Sequence, residues 1–139
     1  MALFSFRFSI ASSQPPPSAV NEGLVNNQTL AVALAEQAGY NVGMFGKTLN
    51  TVPMAPYRGV TGWLVNGGGS YEDPSFAVSN IKGLPEGVVT FNASNTERLG
   101  LKGSSYSTSV IGNYSVQWIA DALSGTKPLM AYIGTKAPQ

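Results

Sequence analysis

The sequence predicts an α/β layer in which a mainly parallel sheet is flanked by helices, and two observations carry that expectation. A helix-like stretch, a glycine stop, an apolar strand-like run and a loop occur in that order twice, over residues 27–47 and again over 105–135. The interval between them, residues 50–106, is dense in turn residues and reads as a loop-rich insertion with a hairpin inside it. With 139 residues the chain is one domain's worth of material, able to bury a real core. Residues 21–139 are assigned to that α/β domain and residues 1–20 are unplaced.

Taken in order, Leu3-Phe-Ser-Phe-Arg-Phe-Ser-Ile10 alternates apolar and polar residues as a strand does, and Gln14-Pro-Pro-Pro-Ser18 then breaks regular structure. Arg7 interrupts the apolar stretch, so these residues do not read as a secretory signal. Asn27 or Thr29 caps a first helix whose apolar face is Leu30, Ala33, Leu34 and Ala38; Gly39 ends it at the left-handed position glycine favours. Tyr40 to Phe45 follows as a short apolar strand, with Gly46-Lys47 at its far end. Ligands of open α/β sheets collect beyond the carboxyl ends of the strands, so a lysine there, behind a glycine, can face a bound anion.

In the middle segment Phe76 to Lys82 and Val88 to Asn92 are expected as an antiparallel pair. Tyr57, Trp63 and Tyr71 have two readings, platforms for a sugar or aryl ring and half-buried loop anchors, and the second is the ordinary use of such side chains. Glu72-Asp73, the one adjacent acidic pair, reads as a solvated turn. Ser107 or Thr108 caps a second helix with Ile111, Tyr114, Trp118, Ile119 and Ala122 as its core stripe, and Gly125 closes it. Pro128 to Gly134 is expected as a buried strand. If the strands ending near Phe45 and at Gly134 are parallel neighbours, Lys47 and residues 135–139 leave the sheet at one edge.

Composition excludes several chemistries. The chain has no cysteine and no histidine, which removes thiolate nucleophiles, disulfides, the usual zinc sites and His-based triads. Charged residues are only 11% and the net charge is +1, so there is no basic stripe for nucleic acid. No apolar run approaches the roughly 20 residues of a membrane span. Asn41-Val-Gly-Met-Phe-Gly-Lys-Thr48 comes close to a phosphate-binding loop, but asparagine holds the position of its first glycine and Pro53 and Pro56 follow where a helix should begin.

Two stretches carry a family resemblance. Residues 30–50, with Ala38-Gly39-Tyr40, Gly46-Lys47 and Leu49-Asn50 at fixed offsets, resemble a segment of sulfatases, particularly the arylsulfatase and N-acetylglucosamine-6-sulfatase branch. Tyr106 to Ile119 together with Lys127 to Gln139 resembles a second sulfatase stretch. The resemblance implies a partial alkaline-phosphatase/sulfatase-like sandwich, hydrolysis of aryl or carbohydrate sulfate esters, a sulfated small molecule or glycan as partner, calcium as cofactor, and a secreted or lysosomal location. Three sequons, at Asn27, Asn92 and Asn113, suit that location.

By the same resemblance Lys47 takes the place of the lysine that contacts the sulfate ester. Gln139 stands where the family has a sulfate-binding histidine, and Ser109 where it usually has aspartate. Glutamine donates through its amide but carries neither positive charge nor a transferable proton. The family's nucleophile, a cysteine oxidised to formylglycine within Cys-x-Pro-Ser-Arg, is missing, as are the carboxylate pairs that hold its calcium. The expectation is therefore an interior fragment of a sulfatase catalytic domain, inactive alone. The alternative is a non-catalytic α/β module that binds a sulfated or neutral glycan.

Overall fold

The computed structural model describes residues 29–48, 55–66, 70–96, 99, 101 and 105–136. Their elements, in chain order, are helix α1 (Leu30–Gln37), strands β1 (Asn41–Lys47), β2 (Gly62–Asn66), β3 (Ser75–Ser79) and β4 (Gly87–Thr90), helix α2 (Ser107–Leu123) and strand β5 (Leu129–Gly134). The strands make one sheet in the order β4-β3-β2-β1-β5. No helix among the described residues is long and apolar enough to cross a membrane.

The α/β class holds, but the sheet is mixed rather than mainly parallel. β1 pairs in parallel with both β2 and β5, whereas β2–β3 and β3–β4 are antiparallel. Chain length explains this. Connections 67–74 and 80–86 are shorter than the dozen or so residues a parallel crossover needs, so β2, β3 and β4 must fold back on one another. The expected hairpin is present over Ser75–Ser79 and Gly87–Thr90. β2 is a further strand, formed from a stretch whose turn residues predict loop.

Two apolar layers sandwich the sheet. Phe45, Leu64, Phe76, Val78 and Val89 meet Val110, Ile111 and Tyr114 of α2 on one face. Val42, Met44, Trp63, Val65 and Ala77 meet Ala31 and Val32 of α1, with Tyr57, on the other. Alternate residues of β1 and β2 supply opposite layers, the period-two rule applied to strands covered on both sides. Trp63 and Tyr57 are buried against each other edge to face, ring centroids 4.9 Å apart, so both are packing anchors.

Helix ends differ in how they are closed. Thr29 caps α1, its hydroxyl accepting from the Val32 N–H at 3.2 Å, and Gly39 takes φ +72° just beyond it. α2 begins at Ser107 with Tyr106 at the capping position and no side-chain cap, so neither Ser107 nor Thr108 caps it as expected. Its indole at Trp118 lies over the paired residues Gly43 and Gly62, where a Cβ on Gly43 would come within 2.9 Å of the ring. Absent side chains at these two glycines make room for the tryptophan, and the helix is thereby seated close to the sheet.

β5 departs from the buried strand expected of it. It stands at the edge of the sheet among the described residues, with Tyr132 39% and Ile133 46% exposed.

Candidate functional site

β1, β2 and β5 run in the same direction and end together, so their last residues define a carboxyl edge. Lys47 is the final residue of β1, in register with Asn66, the final residue of β2. One position earlier, Gly46 is in register with Gly134, the last residue of β5. Gly46 has φ +86°, and a Cβ there would collide with the Gly134 carbonyl and lie 2.9 Å from Ile111 Cδ1. The two strand ends are thus drawn together by two glycines, and Lys47 follows directly on their contact. The Lys47 carbonyl accepts from Tyr132 Oη at 3.3 Å, which ties the backbone of the lysine to the edge strand.

α2 brings its N-terminus to the same edge. Ile111 packs at the level of Gly46 and Trp118 at the level of Gly43, so the first turn, Ser107 to Val110, lies toward and beyond the strand ends. The Ser107 N–H donates to the Tyr71 carbonyl at 2.7 Å. Tyr71 stacks on Tyr106 with ring centroids 6.1 Å apart, and Lys136 Nζ sits 4.5 Å from the Tyr71 centroid, a cation over a ring face. Ser105 Oγ donates to Asp73 Oδ1 at 3.0 Å, holding the loop before α2 to the loop before β3. Loops from 70–74, 105–107 and 135–136 therefore converge on one corner.

The polar inventory suits an anion. Lys47 and Lys136 contribute positive charge, and the N-terminus of a 17-residue helix contributes the positive end of its dipole, equivalent to about half a charge. Among the described residues seven buried polar side-chain atoms have no hydrogen-bond partner, and four of them belong to residues at the strand ends or the first turn of α2: Thr48 Oγ1, Asn66 Oδ1, Ser107 Oγ and Thr108 Oγ1. Ser107 is fully buried and Asn66 is 7% exposed. The three hydroxyls can turn to donate to an acceptor-rich ligand, whereas Asn66 Oδ1 only accepts and calls for a donor instead.

Of the sequence-derived site residues, Lys47 falls at the strand end expected of it. Gln139 lies outside the described residues. Lys136, to which the sequence assigns no role, faces Tyr71 at the same corner. Asn66 and the Tyr71–Tyr106 wall are additions that the sequence reading misses. A signal for Asn66 exists in the short apolar run Trp63-Leu64-Val65 bounded by a turn, which is a buried-strand pattern. Tyr71 and Tyr106 meet only through tertiary packing and leave no sequence signal.

Among the described residues no three His, Cys, Asp or Glu side chains converge on a point where a metal ion could be held. Comparison with models of known protein families, with curated proteins and with solved structures finds no significant match to this chain.

Proposed function

We propose that this chain is part of a sulfatase-type layer whose carboxyl edge grips the oxygens of a sulfate ester, with Lys47 as the contacting cation. The observation that supports this most is the convergence of Lys47 at the end of β1 with the N-terminus of α2. A sulfate monoester carries one negative charge spread over three oxygens. A lysine ammonium and helix N-terminal N–H groups neutralise such charge without accepting a proton. In the family the same contact polarises sulfur for attack, and the nucleophile there is formylglycine. This chain has no cysteine from which to form one. Its own residues bind and orient, and turnover is not expected of it alone.

A second reading is a non-catalytic module for a sulfated glycan, and one observation favours it. The Tyr71–Tyr106 stack adjoins the charged corner, with Tyr106 37% exposed, and a partly open aromatic pair suits a sugar ring.

Calorimetric titration of the chain with nitrophenyl sulfate, and with glucosamine 6-sulfate beside unsulfated glucosamine, tests both. Saturable binding of the sulfated compounds is expected, with Lys47→Ala weakening it by about tenfold, the loss of roughly one charge-assisted contact. Equal affinity for sulfated and unsulfated ligands, or a Lys47→Ala variant that binds as the unaltered chain does, removes the proposal. Lys47-dependent release of nitrophenol would instead show that the chain is catalytic by itself.

A further inference from the structure

Two of the three Asn-x-Ser/Thr triplets, those at Asn92 and Asn113, fall among the described residues, and the fold treats them in opposite ways. An N-linked oligosaccharide is bulky and needs a surface loop, with the asparagine amide nitrogen open to solvent and the hydroxyl two residues on free of the core. Asn113 meets neither condition. It lies within α2, its Nδ2 is buried without a partner, and Ser115 is 1% exposed with its hydroxyl donating to the Gly112 carbonyl at 3.1 Å. A glycan there would unwind the helix that covers one face of the sheet.

Asn92 meets both. It follows β4 in a turn whose start is fixed by the buried Phe91, its N–H donating to the Pro74 carbonyl at 2.9 Å. Three donors converge on one side-chain atom of Asn92: the Ser94 N–H at 3.1 Å, the Ser94 hydroxyl at 2.6 Å and the Asn95 N–H at 3.1 Å. Of the two amide atoms only the oxygen accepts, so the convergence fixes this atom as Oδ1 and turns the nitrogen away. Among the described residues Nδ2 has no hydrogen-bond partner, and it is not one of the buried unpartnered atoms, so it faces solvent. Ala93 and Ser94 are exposed beside it.

The turn itself is secured from the other direction. Asn95 Oδ1 accepts from the Asn92 N–H at 2.9 Å, and Asn95 Nδ2 donates to the Thr90 carbonyl at 2.7 Å. A substituent on Asn92 Nδ2 therefore breaks no contact of the described fold.

We infer that Asn92 is a site of N-linked glycosylation and that Asn113 is not. The transfer is a substitution at carbon with no oxidation or reduction. Asn92 Nδ2 bonds to the anomeric carbon of an oligosaccharide carried on a lipid pyrophosphate. The bond from that carbon to the pyrophosphate oxygen breaks, the pyrophosphate leaves with the electron pair, and a base of the transferase takes one of the two Nδ2 protons. Oδ1 is untouched and keeps its three donors. β4 is three strands from β1, about 14 Å at the usual spacing, so the attachment point stands away from Lys47. The inference does not rest on the sulfate reading. It calls for passage through a compartment holding the transferase, and the test reads that passage separately.

The full chain is given a cleavable secretory leader and a flexible Asn-Gly-Thr acceptor appended after Gln139, and is expressed in cultured animal cells. Glycopeptide mass spectrometry is applied to chains from cells and medium whose appended acceptor is filled, which marks them as having met the transferase. The expected result is a glycan at Asn92 and none at Asn113. Asn92→Gln removes one glycan from the total, and so does Ser94→Ala, which keeps Asn92 but deletes the hydroxyl the transferase requires; Ser115→Ala removes none. A bare Asn92 on chains whose appended acceptor is filled overturns the inference, and so does a glycan on Asn113 of the folded, secreted chain.

Discussion

Gly46 is the position where an added methyl group costs most. Its φ of +86° is unfavourable for any residue with a Cβ, and that Cβ would meet the Gly134 carbonyl across the strand contact. Gly46→Ala is expected to destabilise the fold by about 2–4 kcal/mol, conformational strain and overpacking together, as read from the urea midpoint. At Gly112, within α2, an added Cβ would meet nothing within 4 Å, so Gly112→Ala should stabilise by up to about 1 kcal/mol through helix propensity alone. The contrast separates steric cost from general glycine behaviour. Gly46 also marks what is legible at this scale: Gly46-Lys47 announces a strand end with a cation. The partner contact at Gly134 is not legible, because it joins residues far apart in sequence.

Among the elements, the hairpin of β3 and β4 carries the clearest pH signal. Glu86 Oε1 accepts from the Asn80 N–H at 2.6 Å, where Asn80 adopts φ +53°. That backbone N–H, with help from the Ser79 side chain, holds the Glu86 carboxyl below its ordinary value. A lowered carboxylate pKa means the fold favours the charged form, so the contribution is present at neutral pH and is lost as pH falls below the usual glutamate range and through the depressed value. Glu86→Gln should lower the neutral plateau of a melting-temperature profile slightly toward its acid value, and so flatten the acid limb, with little change at low pH. This hairpin is legible to within a few residues, since Gly83 and Gly87 punctuate it. The uniformly apolar run of β5 predicts burial; apolar composition reports that a strand seeks cover but not from which segment. The core stripe of α2 is legible over its first half, where Ile111 and Tyr114 are buried. Beyond Trp118 the helix extends past the layer it covers.

At the scale of the whole molecule, alternation of helix and strand is enough to specify an α/β layer. The proportion of parallel pairing depends instead on the lengths of the connections in the middle segment, which a count of helix–strand units does not register. The core also sets an alkaline limit. Burial raises the phenol pKa of Tyr57 and Tyr114 above the ordinary tyrosine range. A raised tyrosine pKa means the fold favours the neutral phenol, so ionisation works against folding once pH climbs past about 10, the value in the unfolded chain. Tyr57 Oη is buried without a partner, while Tyr114 Oη donates to the Leu99 carbonyl. Tyr57→Phe is thus expected to be neutral or stabilising by about 1 kcal/mol at pH 7 and to shift alkaline unfolding upward, measured by circular dichroism against pH.

The register of β1 with β5 has an entropic meaning. β2, β3 and β4 pair across short connections and can assemble from neighbouring chain, but Asn41 to Gly46 meets the distant run Leu129 to Gly134. Closing a long loop costs more chain entropy than closing a short one, so this pairing is entropically the most expensive in the sheet. The corner where Lys47, α2 and Lys136 converge exists only once that closure is complete. The corner therefore rests on the one strand pairing in the sheet whose loop is longest, and any loosening of β1 from β5 dissolves it while leaving the β3–β4 hairpin paired.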